Sequence, residues 1–232
     1  MRASKTKVIL LIQKFFIYKM GTYNKGILGA FSGKVGPVVG ATWRGKEVMR
    51  SLPKKSNRVA TATQELQRLK FTKVTEFLRP LSPVLKRYYG NDTGTKTRRN
   101  QAMSYHMKNA LNYVDPDFMW DYQKVQISRG DLTGFDDVAA TPGTGQSIDI
   151  NWINNSGQGE ALATDKLVLV IYEETTNTSL YSLNSGIRGD ETANYSVPAF
   201  LSGLPVQVWA TFVAADDKTF ATSLYLGEVL IA

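Results

Sequence analysis

The chain contains no cysteine and one histidine, His106, in 232 residues. The first absence excludes disulfides, thiolate nucleophiles and Cys-ligated zinc together. The second leaves any Ser-His-Asp arrangement dependent on His106 and rules out a site built from several histidines. No run of about 18 apolar residues is present, so no transmembrane segment is expected. Acidic residues are scarce in the first half. Residues 1–114 hold 23 Lys+Arg against 4 Asp+Glu, and residues 115–232 hold 5 against 16. The chain's +8 therefore combines a half of +19 with a half of −11. Such asymmetry points to a chain that binds something with one end or packs head to tail with its own copies.

Hydrophobic content of 43% is ordinary for a globular protein, and the length allows one large domain or two small ones. Residues 1–19 start basic and continue Val8 to Ile12, but Gln13-Lys14 interrupts the apolar run. They read as an over-extended start before Met20, with an imperfect signal or a membrane-surface helix as the alternatives. Residues 21–53 are rich in glycine. Val38 to Trp43 and Lys46 to Ser51 read as two short strands around Arg44-Gly45, a hairpin. Gly40 to Lys46 matches the first part of a phosphate-binding loop. Glu47, however, stands where a hydroxyl is needed, and Val48-Met49 and Pro53 argue against a following helix, so a turn is the better reading.

Residues 62–78 form the clearest helix, with Thr61 or Thr63 as cap and Leu66, Leu69, Phe71, Val74, Phe77 and Leu78 as apolar positions. Ser82-Pro83 opens a short second helix with Val84, Leu85, Tyr88 and Tyr89. A third runs from about Arg98 to Tyr113. Phe118 to Ser128 alternates as a strand should. From about 138 onward, short strands are separated by turn residues: Ser147–Ile153, Leu167–Tyr172, Thr178–Leu183, Ala193–Val197, Pro205–Ala214 and Thr222–Ile231. That texture predicts a β-sandwich.

The fold class expected is thus α+β: a basic hairpin plus three-helix unit over 20–134, then an all-β sandwich of the immunoglobulin/fibronectin kind over 135–232. His106, amid apolar neighbours on a helix, reads as a packed residue and not a catalyst. Arg129-Gly130-Asp131 reads as a turn, although the tripeptide also occurs in cell adhesion. The acidic pairs lack the loop spacing of a calcium site, and Asp216-Asp217-Lys218 reads as a hairpin tip. No catalytic residue, metal ligand or cofactor is expected, and the protein is read as non-enzymatic. The strongest signal is the basic set with interleaved aromatics. Trp43, Arg44, Lys46, Arg50, Lys54, Lys55, Arg58, Arg68, Lys73, Arg98 and Arg99 are the candidate contacts for a nucleic acid or a protein partner. The leading expectation is a structural or interaction protein of an envelope-associated or virion-like assembly, self-associating through its opposite-charge halves. The alternative is nucleic-acid binding by the basic half.

Two stretches carry a resemblance. Gly26 to Trp43, continuing through Arg44-Gly45-Lys46 to Arg50-Ser-Leu-Pro53, and Thr63 to Phe71 with Phe77-Leu78-Arg79-Pro80, resemble an uncharacterised bacterial family of unknown function. The similarity continues to the C-terminus and implies no established activity, cofactor or catalytic residue. The last ~95 residues also resemble a fibronectin type III sandwich in strand texture, with Trp152 and Val206 to Phe212 at core positions.

Overall fold

A computed structural model describes residues 21–23, 29–43, 45–54, 58–94 and 96–232. The expectation for residues 1–19 and the candidates Arg44 and Lys55 lie outside the described residues. By its contacts the chain divides into two units, 1–58 and 59–232.

In the first unit, β1 (Thr22–Tyr23), β2 (Phe31–Val35), β3 (Val38–Trp43) and β4 (Lys46–Ser51) pair in that order, all antiparallel. The β3–β4 hairpin has the bounds the sequence predicts. β2 bends: Phe31 and Ser32 pair with β1, while Gly33 to Val35 pair with β3. Gly33 turns the chain at φ 107, a backbone that side-chain-bearing residues avoid. Gly40 then lets Phe31 cross over it. A Cβ on Gly40 would stand 2.0 Å from the Phe31 carbonyl oxygen. Every residue of β4 is exposed.

The second unit has three layers. Its middle layer is a four-stranded antiparallel sheet in the order β10-β9-β12-β13, and its outer sheet is β11-β8-β7. The bounds are β7 (Val138–Pro142), β8 (Ser147–Trp152), β9 (Lys166–Glu173), β10 (Thr178–Ser182), β11 (Thr192–Ser196), β12 (Pro205–Val213) and β13 (Leu224–Leu230). Of the seven strands, the first, second and fifth form one sheet, and the third, fourth, sixth and seventh form the other. This is the fibronectin type III-like arrangement. Ile148, Ile150, Leu167, Leu169, Ile171, Val208 and Phe212 fill the space between the sheets.

The third layer is helical: α1 (Ala62–Leu78), α2 (Ser82–Tyr88) and α3 (Arg98–Asn109). It covers the other face of β9 and β12, where Val168, Val170, Tyr172, Trp209 and Val213 meet Phe77, Leu81, Leu85 and Tyr88. The Phe77 ring lies 4.8 Å from Tyr172, edge on. The helices therefore share a core with the sandwich. The division falls at 58/59 and not at the expected 134/135, because β9 and β12 bury both faces and need a cover on each side.

Local signals account for the helix ends. Thr61 caps α1 by accepting from the Gln64 N–H, and the Gln64 side chain accepts from the Thr61 N–H. Val74, Phe77 and Leu78 are buried, whereas Phe71 is 52% exposed and Leu69 36%. The first turns of α1 thus carry apolar groups outside the core. α3 stops at Asn109 instead of about Tyr113. Leu111–Val114 (β5) turns at Asp115-Pro116 to pair with Asp117–Trp120 (β6), since the residue before a proline avoids helical backbone. The strand expected over 118–128 is only β6. Tyr122–Lys124 form a 3-10 turn, and Ile127-Ser128 lie along β13's approach, both N–H groups donating to the Ser223 hydroxyl.

Candidate interaction surfaces

Strand pairing decides which side chains share a face. In β3–β4, Trp43 stands opposite Lys46, Ala41 opposite Val48 and Val39 opposite Arg50; Lys34 of β2 stands opposite Val39. One face of this small sheet therefore presents Trp43 with Lys34, Lys46 and Arg50. Glu47, the single acid among residues 1–58 against 13 Lys+Arg, pairs with Thr42 and points to the other face. Trp43 is 54% exposed, Met49 70% and Val35 47%. Among the described residues of the unit only Gly40 is buried. A sheet whose described residues form no core, carrying apolar groups and cations in the open, has the makings of a contact surface.

The remaining candidates are dispersed. Lys54 and Arg58 are exposed after β4, and Arg68 is exposed on α1. Lys73 is committed inside its own unit, its ammonium 2.5 Å from the Asp117 carboxylate and 2.8 Å from the Phe118 carbonyl oxygen. That ammonium holds the Asp117 carboxyl below its ordinary pKa. Arg98 and Arg99 open α3, half-buried, and line a cleft with Lys86, Asp92 and Thr97. Asp92 accepts from the Arg98 N–H, and the Arg98 guanidinium lies 5.4 Å from the Phe220 ring centre. The eleven candidates are thus not one site. Trp43, Lys46 and Arg50 are brought onto one face; Arg98 and Arg99 belong to another; Lys73 is a strut.

One end of the sandwich gathers a group of acidic residues. Val138 pairs with Trp152, Thr192 with Asn151, and Lys166 with Val213, so the loops adjoining those positions meet there. They expose Asp131, Asp136, Asp137, Glu160, Asp190 and Glu191. Arg188 ties the loops together from within. Its side chain is fully buried, as is that of Asp165, whose carboxylate it meets at 3.1 Å. It also donates to the carbonyl oxygens of Thr133 (2.7 Å) and Gly134 (3.1 Å) and to the Asn155 side chain. The guanidinium sits 3.9 Å from the Phe212 ring centre. Arg188 begins a second Arg-Gly-Asp tripeptide that sequence reasoning passed over, and its burial makes that tripeptide structural. Arg129 of the first is exposed, 5.9 Å from the Tyr105 ring centre.

His106 has both ring nitrogens occupied. Nδ1 donates to the Ala102 carbonyl oxygen at 2.7 Å, and Nε2 accepts from the Gln126 N–H at 3.2 Å. Burial pushes its pKa down to about 4, against the weaker upward pull of the bond to the Ala102 carbonyl oxygen. It is a neutral packing residue, as the sequence suggested. Among the described residues no group of three or more His, Asp and Glu could hold a metal ion, and no helix is long and apolar enough to cross a membrane.

Layer order and strand connectivity define an α+β protein built on a fibronectin type III-like sandwich. The chain belongs to a family of unknown function, DUF6266, whose model matches residues 30–227. That agrees with the expected resemblance to an uncharacterised family of unknown function. No curated protein matches. A solved structure, the FN1-FN3 domains of chicken CNTN1, is similar with a TM-score of 0.33 and 14% identity, over 45% of this chain and 35% of that one. The similar region thus spans about a third of that structure's length.

Proposed function

We propose that the protein is a non-enzymatic structural or interaction module that assembles head to tail with its own copies, in an envelope-associated or virion-like assembly. The observation that carries this reading is the pairing of two unlike surfaces in one chain. One is an open sheet face bearing Trp43, Lys34, Lys46 and Arg50; the other is a loop end bearing Asp131, Asp136, Asp137 and Glu160. Unlike surfaces make heterologous contacts, which close into rings or extend as filaments.

Size sets the strength. Three strands of about five residues cover roughly 17 by 14 Å, well below the ~800 Å² per partner of a standard interface. Each contact is therefore weak and largely electrostatic, and assembly depends on repetition and on low ionic strength. Light scattering after size exclusion at low and high salt tests this. Salt-sensitive growth in mass is expected, and a monomer under all conditions removes the support.

A second reading rests on the same face. Cations around an indole on a flat sheet also suit single-stranded nucleic acid. It predicts a complex with a generic oligonucleotide that weakens steeply with salt and requires Trp43, Lys46 and Arg50.

A further inference from the structure

β4 is the open edge of the small sheet. Among the described residues it pairs with β3 alone, and every one of its residues is exposed. The parity of the ladder says which groups face outward. The Leu52 N–H bonds the Pro37 carbonyl oxygen at 2.7 Å, so Lys46, Val48 and Arg50, which share its parity, bond inward to β3. The main-chain N–H and C=O groups of Glu47, Met49 and Ser51 then point away from the sheet. Such a row is a template for another strand. Met49 is also the most exposed large apolar side chain among the described residues of the unit, at 70%.

The order Lys46-Glu47-Val48-Met49-Arg50-Ser51 selects the occupant. Two copies meeting edge to edge run antiparallel about a two-fold axis normal to the sheet, and each residue keeps its face. Only residues of one face can stand opposite each other, so the axis must pass midway between two identical residues. Centring on Lys46, Glu47 or Arg50 sets like charges face to face, and centring on Val48 sets Lys46 against Arg50; each arrangement is destabilising. Centring on Ser51 sets Met49 against Pro53, which has no N–H to give. Centring on Met49 avoids all of these conflicts. It places Glu47 opposite Ser51 and Val48 opposite Arg50, makes about six backbone hydrogen bonds and brings the two Met49 side chains together. We infer that β4 pairs antiparallel with β4 of a second copy, centred on Met49, joining two four-stranded sheets into one. The contact uses the edge of the sheet, not its Trp43 face or the acidic loop end, so it goes beyond the head-to-tail reading and stands without it.

The test begins with the full chain in sedimentation velocity at about 0.5 M salt, where charges are screened within about 4 Å. Backbone pairing persists there and the head-to-tail contact does not, so a dimer is expected and a monomer overturns the assignment. Register is read by disulfide trapping, because the chain has no cysteine of its own. Met49→Cys sets two thiols at facing positions, with Cα atoms about 5.5 Å apart, within reach of a disulfide. Glu47→Cys sets them about 13 Å apart along the strands, which no disulfide spans. Under mild oxidation the Met49→Cys chain should form a covalent dimer at least about tenfold faster than the Glu47→Cys chain. Equal rates, or no covalent dimer of the Met49→Cys chain, overturn the assignment. Growth beyond two copies at low salt reports on the head-to-tail contact; its absence beside a high-salt dimer removes that reading and supports the edge pair.

Discussion

Arg188 and Arg129 begin the same tripeptide, and their surroundings predict opposite results on truncation. Arg188→Ala removes a fully buried guanidinium that donates to Asp165, Asn155, Thr133 and Gly134 and lies over Phe212. The Asp165 carboxylate would remain buried without its counter-charge. Breaking such a pair costs about 3–5 kcal/mol. With a urea slope of about 2 kcal/mol per M, the unfolding midpoint of the second unit should fall by roughly 2 M. Arg129→Ala removes an exposed side chain that lies 5.9 Å from the Tyr105 ring centre and beside the Tyr89 hydroxyl, worth about 1–2 kcal/mol. Urea unfolding of both variants, followed by tryptophan fluorescence and circular dichroism, gives the comparison directly. An Arg188→Ala protein within about 0.5 kcal/mol of the parent would refute the view that this cluster holds the acidic loop end together.

Two further outcomes follow from single positions. His106 is neutral when folded, with a pKa of about 4 against an ordinary 6.5. The unfolded chain therefore takes up its proton first as pH falls. Its contribution is complete above about pH 6.5 and is lost progressively toward pH 4, by about 3 kcal/mol in all. Urea midpoints between pH 7 and 5 should slope less in a folded His106→Gln variant, and an identical slope would contradict the burial argument. Gly40→Val forces a side chain into the Phe31 backbone, so amide exchange across β2 and β3 should accelerate while the second unit keeps its protection; unchanged exchange would refute the crossing at Gly40.

Much of this was legible in the sequence where local chemistry and tertiary demand agree. The Thr61–Gln64 capping pair, the turn glycine Gly45 and the period-two run Ile148-Ile150-Trp152 each fix an element by short-range rules. The failures came where packing overrode pattern. Alternation from Phe118 to Ser128 reads as one strand, yet Trp120 and Ile127 satisfy it by packing against α1 and the approach to β13, with the Tyr122–Lys124 turn between them. Leu167 to Tyr172 is nearly all apolar because each face of β9 has its own neighbour, the outer sheet on one side and Phe77's helix on the other. Pattern alone groups the helices with the glycine-rich segment. The basic residues could be counted but not sorted. Register places Lys46 and Arg50 beside Trp43, while Lys73 is drawn to Asp117, 44 residues away, a contact that no local signal announces. The charges of Arg188 and Asp165 gave no hint of being buried.

Head-to-tail association between the small basic sheet and the acidic loop end is tested most directly by charge-swap complementation. Lys46→Glu/Arg50→Glu makes one surface acidic, and Asp136→Lys/Asp137→Lys makes the other basic. Sedimentation velocity at low salt should show each variant alone with weakened association and the mixture with association restored, because each altered surface then meets its complement. Association of both variants at the parental level, or a mixture no better than its parts, would contradict the account.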